Sequence, residues 1–194
     1  RRISKIDLSD DYLQAIRLYA SCADELKSSE LYRNDLIEFV SYYVAAKAEN
    51  FYKQALKDDL ENRVLAAQRN LQQTVDLLMD VDRLLASHPL YRLEEWVELA
   101  RNSGTTLQEK DAYEANAKRL ITSWGGIQED YAARFWSGLI KDYYIPRIQI
   151  YFTKDRNKIR EWEEQWITSP WINSTTPFDD PVEAALNLIE KTNK

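Results

Sequence analysis

Apolar residues recur at helical spacing along most of this chain, and the spacing predicts its elements. Tyr12, Leu13, Ile16, Tyr19, Ala20 and Ala23 share one helical face, with Ser9 placed to cap it. Leu36, Phe39, Val40, Tyr43, Val44 and Phe51 mark a second, longer helix. Leu60, Val64, Ala67, Leu71, Leu78, Val81 and Leu85 step by threes and fours, with Thr74 in register. That seam suits lengthwise packing on the second helix at a shallow angle. Ser87-His88-Pro89 stops it, and a short fourth helix carries Leu93, Trp96, Val97 and Ala100 to its end at Asn102-Ser103-Gly104.

Thr106 and Glu109 have capping-box spacing and open a fifth helix that places Tyr113, Ala117, Leu120, Ile121 and Trp124 on one side. Trp124-Gly125-Gly126 ends it in a tight turn, since glycine accepts a positive φ. A sixth helix is predicted from near Gln128 to Pro146. Proline has no N–H to give to Asp142, so a kink or break is expected there. Arg156 to Thr168 is charged and weakly amphipathic around Ile159, Trp162 and Trp166. Ser169 to Asp179 reads as a loop, and Asp180-Pro181-Val182-Glu183 as the start of a last helix. The pattern predicts an all-α bundle of about six to eight helices, mostly antiparallel, in a single domain over residues 1–194. The second, third and sixth helices are expected to be the longest. No self-similarity appears at solenoid periods.

Composition narrows the class without changing the fold. Five prolines and four glycines leave little room for the turns of a β-sandwich or barrel. A net charge of −6 and a pI of about 5.0 give no electrostatic case for nucleic acid. No apolar run approaches the ~20 residues that span a bilayer, so no membrane partner is expected. A lone Cys22 excludes an intramolecular disulfide, and buried packing is its default. The first residues, Arg1-Arg2-Ile3-Ser4-Lys5-Ile6, lack the apolar core of a signal peptide, and the chain begins as if cut from a longer polypeptide.

Candidate chemistry is sparse. Acidic residues number 32, yet none stands out as one of a paired acid and nucleophile. Glu94, Glu95 and Glu98, then Glu129 and Asp130, then Glu161, Glu163 and Glu164, all read as solvated faces or helix starts. His88, the only histidine, excludes a His-rich metal set and a Ser-His-Asp triad, and its place beside Pro89 suggests a capping role. No cofactor or metal is expected. Asn173-Ser174-Thr175 has the form of a glycosylation acceptor. The aromatic complement is large: six Trp, twelve Tyr and five Phe. Trp96, Phe39, Phe51, Phe135 and most tyrosines read as core, and Arg33 with Asp35 as a structural ion pair.

Ordered short elements carry a resemblance. Trp124-Gly125, then Asp130-Tyr131-Ala132, then Tyr143-Tyr144-Ile145-Pro146-Arg147 follow one another. Upstream stand Tyr32-Arg33-Asn34-Asp35-Leu36, Leu84-Leu85, Trp96, Ala100-Arg101 and Tyr113-Glu114-Ala115-Asn116-Ala117. In this order they resemble the C-terminal helical domain of the α-N-acetylglucosaminidases, glycoside hydrolase family 89. The resemblance runs from about residue 10 to 152 and loosens beyond 155.

The resemblance implies a retaining exo-hydrolase of terminal α-linked N-acetylglucosamine. Its catalytic glutamates lie on a preceding (β/α)-barrel of the same polypeptide, so this stretch should hold no catalytic residue. It further implies packing on that barrel, a share in walling the substrate cleft for a glycan ending in N-acetylglucosamine, and a secreted, periplasmic or lysosomal location. Trp124, at a helix end before two glycines, and Tyr131, across the same turn, become the substrate-facing candidates, with Tyr144 and Arg147 as further ones. The other reading is a stand-alone helical interaction domain without sugar chemistry, which the seam and acidic faces would serve equally well.

Overall fold

A computed structural model of the chain describes residues 10–124, 132–153, 155 and 157–192. Among these residues nine α-helices form: α1 (Asp10–Ala20), α2 (Ala23–Leu26), α3 (Glu30–Leu60), α4 (Val64–Leu85), α5 (Leu93–Asn102), α6 (Leu107–Leu120), α7 (Ile145–Phe152), α8 (Asn157–Thr168) and α9 (Pro181–Lys191). The all-α expectation holds, and the helix beyond the predicted eight is the single turn α2. Strand-type pairing among the described residues is an isolated parallel bridge between Arg92 and Ser137. The chain divides into two compact units, Arg1–Pro89 with Thr176–Lys194, and Leu90–Thr175.

The first unit is organised by α3 and α4, the two longest helices, which make its most extensive contact. Leu36, Val40, Tyr43 and Val44 of α3 and Leu78, Val81, Leu84 and Leu85 of α4 are buried almost completely. Ala45, Ala48 and Ala55 add nothing bulky at their buried positions on α3. Thr74, the polar residue in the seam, is buried because its hydroxyl donates to Asn70 O at 2.9 Å. The seam starts later than predicted. Leu60 belongs to the end of α3 and is 83% exposed, because Asn62 takes a left-handed φ of 58° and turns the chain.

Asp58 closes this turn. It accepts from Arg63 Nε at 2.9 Å, Gln54 Nε2 at 2.9 Å and Asn70 Nδ2 at 2.7 Å. The Arg63 hydrogen bond is the main reason its carboxyl lies below the usual range. Helix α1 lies on α3 through Tyr19, which stacks on Tyr32 at 4.9 Å. Helix α9 starts where predicted: Asp180 caps the N–H groups of Val182 and Glu183, and Val182, Ala185, Leu188 and Ile189 are buried.

Several side-chain expectations in this unit are corrected. Phe39 and Phe51 are more than a third exposed, since both lie on the flank of α3 away from its most buried stripe. Cys22 is exposed, and its thiol points back to Leu18 O at 3.6 Å. Arg33 donates to Lys27 O at 2.9 Å while Asp35 accepts from the Tyr19 hydroxyl at 3.3 Å, so the predicted pair between them is not what either makes. Ser9 lies outside the described residues.

His88 is buried, at 4% exposure, and does more than follow a helix end. Burial holds its imidazole below the ordinary histidine value, against the opposing pull of Glu38 and Asp35. A histidine kept neutral in the folded state binds fewer protons than in the unfolded chain. Its contribution is therefore complete above about pH 6.5 and is lost as pH falls through the lower folded value. The urea midpoint is expected to drop between pH 7.5 and 5, and His88→Gln to flatten that drop. Parallel pH profiles for the two proteins would assign the acid sensitivity elsewhere.

The second unit gathers α5, α6, α7 and α8 around Leu93, Val97, Ile121, Leu139 and Tyr143. Trp96, Trp136, Trp162, Trp166 and Trp171 pack against this core. Thr106 and Glu109 form the predicted capping box, and hydrogen bonds from Thr105 and Thr106 bring the Glu109 carboxyl down to about 2. The predicted sixth helix is the main departure. Gln128 lies outside the described residues, residues 133–136 are not helical, and Gly138 has a φ of +83°. Helical structure resumes only at Leu139, so this helix is not among the longest. The break expected at Pro146 takes the form of a π-helical turn, Ile140–Tyr144, directly before α7. There Ile145 N–H reaches back to Ile140 O. The wider turn admits a proline that cannot donate to Asp142.

Candidate functional site

The candidate residues all belong to the second unit, and α6 brings the first of them to the surface. The helix ends at Leu120, and a turn closed by Trp124 N–H to Arg119 O at 3.0 Å follows. Ile121 and Thr122 are buried, whereas Trp124 is 46% exposed. Part of the indole is thus open to solvent, as single apolar side chains on a protein surface commonly are. Tyr131, across the same turn, lies outside the described residues, as do Gly125 and Gly126.

Tyr144 and Arg147 are brought into one cluster, with neighbours that already engage them. The Tyr144 hydroxyl donates to Arg134 O at 2.8 Å, and its ring meets Tyr143 edge-on at 5.5 Å. Arg147 Nε donates to Glu163 Oε1 at 2.6 Å, and the same oxygen accepts from the Tyr143 hydroxyl at 2.9 Å. Tyr143 is fully buried and stacks near Trp166, at 4.8 Å, and Trp162, at 5.5 Å. Glu163 is therefore a partly buried anchor. It was expected to be solvated because the charges around it on α8 hide that this carboxylate turns inward. Glu164 keeps to the surface in a bidentate pair with Arg119.

A second polar network lies behind α6. Lys118 is fully buried, and its ammonium gives one hydrogen to each of three acceptors: Glu114 Oε1 at 3.0 Å, Trp166 O at 3.0 Å and Ser169 O at 2.5 Å. Burial pushes this lysine below its ordinary value, and Glu114 opposes the shift. Glu114 also accepts from Arg101 at 2.6 Å and from the backbone N–H of Trp171 at 2.6 Å. The Trp171 indole donates to Asp142 Oδ2 at 2.9 Å, and burial raises the Asp142 carboxyl despite that bond. Sequence spacing held no sign of this network, because its partners come from α5, α6, α8, the π turn and a loop.

This arrangement orients aromatic rings and holds loops. It does not present a carboxylate pair across a cleft. Among the described residues, no three His, Cys, Asp or Glu side chains gather as they would around a metal. No described helix is long and apolar enough to cross a membrane.

An all-helical unit defines the class, that of all-α domains. The family can be named more closely. A sequence model described as the α-N-acetylglucosaminidase (NAGLU) C-terminal domain matches residues 7–191, and the chain belongs to that family. Human α-N-acetylglucosaminidase is 31% identical over 144 residues, which cover 73% of this chain and 19% of the human protein. A family 89 glycoside hydrolase from Clostridium perfringens, solved with PUGNAc, shares the fold at a TM-score of 0.79 and 22% identity. That match covers 92% of this chain and 23% of the clostridial one. A variant of the clostridial enzyme solved with GlcNAc-α-1,4-galactose gives the same superposition. The chain thus spans about a fifth of the relatives it matches. The match over residues 7–191 tells against a stand-alone domain without sugar chemistry.

Proposed function

We propose that residues 1–194 serve as the C-terminal helical domain of an enzyme that hydrolyses terminal α-linked N-acetylglucosamine. Catalysis falls to a (β/α)-barrel on the same polypeptide, and the partner of this domain is that barrel. The family match across both compact units supports a joint role for them. A glycan ending in N-acetylglucosamine is the substrate, and a secreted, periplasmic or lysosomal compartment is where it would be met. The relatives' names support both statements.

Within that reading, Trp124 walls the sugar pocket, and Tyr131 is its companion by resemblance. Tyr144 and Arg147 are further candidates for contact with the sugar, and their polar atoms are already engaged by Arg134 O and Glu163. The observation that carries the reading is the exposed indole at the end of α6. An aromatic face stacks on the axial C–H groups of a sugar and fixes its ring for attack.

Trp124→Ala in the full-length enzyme tests this. A half-exposed side chain has little packing to lose, so stability is expected to fall by no more than about 1 kcal/mol. The ratio kcat/KM is expected to fall by about two orders of magnitude. A collapsed unfolding midpoint with normal specific activity in the remaining folded enzyme would make Trp124 a packing residue and end the pocket reading.

A further inference from the structure

We propose that Glu163 is a positioning residue: it sets the plane of the Arg147 guanidinium and so aims that group at an oxygen of the bound N-acetylglucosamine. The proposal rests on the sugar-facing reading of Arg147. Spacing on α8 does not distinguish Glu163 from the charged residues around it. Its bonds do.

Arg147 donates to Glu163 Oε1 through Nε, at 2.6 Å. Nε is the donor nearest the aliphatic stem, and the guanidinium is planar. Holding Nε–H therefore fixes the plane in which the two terminal nitrogens lie. Glu163 is held in turn. The same Oε1 accepts from the Tyr143 hydroxyl at 2.9 Å, and Tyr143 is fully buried with its ring near Trp162 and Trp166. The Glu163 side chain is 12% exposed and that of Arg147 is 32% exposed. The pair is thus anchored at its carboxylate end and more open at its guanidinium end, as a donor presented to a ligand must be.

The backbone explains how these groups meet. The π turn Ile140–Tyr144 runs directly into α7, and Arg147 stands in the first turn of α7. Single π turns recur at functional sites. This one sends Tyr143 inward to Glu163 and leaves the Tyr144 hydroxyl on Arg134 O. A pair that served charge balance alone would need neither the Nε geometry nor a tyrosine on the same oxygen. A guanidinium only donates, so its match on a sugar is a hydroxyl oxygen or the acetamido carbonyl. Misplacing such a contact by about 1 Å costs up to about a hundredfold in rate.

The test uses the full-length enzyme on an aryl α-N-acetylglucosaminide, with kcat and KM taken per mole of folded protein. Arg147→Ala is expected to lower kcat/KM about thirtyfold. Glu163→Gln, which keeps the shape and one acceptor oxygen, is expected to lower it about tenfold. A merely structural role would reduce the amount of folded enzyme and leave kcat and KM unchanged. In an Arg147→Ala background, Glu163→Gln is expected to cost less than about twofold, because the carboxylate acts through the guanidinium. Arg147→Lys keeps the charge and loses the plane, so it is expected to lose at least about tenfold. Wild-type kcat/KM in Glu163→Gln, or an equal cost of that change in both backgrounds, overturns the positioning role while Arg147 still faces the sugar. Wild-type kcat/KM in Arg147→Lys overturns it too, and that variant decides the matter if Glu163→Gln does not fold. Wild-type kcat/KM in Arg147→Ala means that Arg147 does not face the sugar, and the proposal falls with that reading.

Discussion

Residues 1–194 on their own are expected to leave an aryl α-N-acetylglucosaminide intact, at no more than the buffer rate. Glycoside hydrolysis needs a raised-pKa acid and a second carboxylate facing the same bond. Several of the buried carboxylates are committed to structural bonds. Asp58 holds Arg63, Gln54 and Asn70, Glu114 holds Lys118, Arg101 and Trp171, and Glu49 pairs with Lys53 at 2.9 Å. Asp142 is the acid that burial raises, and its carboxylate is bonded to the Trp171 indole. Without the pair, a rate advantage of about 10⁶ or more is forfeited, which is far larger than any effect of a wall residue. The check is a steady-state assay of the purified chain beside the full-length enzyme. Saturable turnover that follows the chain through successive columns would place the acid and nucleophile here and overturn the assignment to a barrel.

The parts of the fold legible in the sequence were those set by local chemistry. The capping box at Thr106 and Glu109 and the Asp180-Pro181 start of α9 involve neighbours within one turn, so type and spacing specify them. The seam on α4 was legible for the same reason, because one face of a long helix must be buried. Its start was misplaced at Leu60 because a single left-handed asparagine, Asn62, interrupts an unbroken apolar period. The helix predicted from Gln128 to Pro146 failed through tertiary override. Residues 132–138 have adequate helical spacing, but Ser137 pairs with Tyr91 and Leu93, and Gly138 turns left-handed under Trp171.

The candidate site was legible only in outline. Trp124 was singled out because it precedes two glycines at a predicted helix end, and the structure leaves it 46% exposed. Tyr144 and Arg147 were singled out by resemblance, and their partners, Arg134 O and Glu163, are distant in sequence and could not be read from spacing. Trp171 was invisible. Its contacts reach residues on two helical elements, and no spacing rule links an aromatic in a Ser/Thr-rich loop to a carboxylate on α6. Lys118 and Glu114 stand four apart on a charged helix, the usual pattern of a solvated pair. Burial alone makes this pair different.

That difference gives the second large effect. Glu114→Gln is expected to cost about 3–5 kcal/mol at pH 7, several times what an exposed pair is worth. The amide keeps the shape and one acceptor oxygen. It removes the charge that compensates an ammonium at 0% exposure, while Arg101, nearer the surface, can recover its partner in Asp111 at 2.8 Å. The sign of the pH response identifies the cause. Burial already depresses Lys118 relative to the unfolded chain, and loss of Glu114 depresses it further. The folded state then binds fewer protons than the unfolded one, so stability is lost as pH falls through the folded value and regained on rising toward about 10.4. The variant should therefore recover between pH 7 and 9 more steeply than the wild type. Glu114→Gln/Lys118→Met should be more stable than Glu114→Gln alone, since no unpaired charge remains, although Trp166 O and Ser169 O lose their donor. Urea unfolding at three pH values measures all of this. A cost of about 1 kcal/mol or less with no change in pH slope would mean that water reaches Lys118, and the pair would then be an ordinary surface bridge.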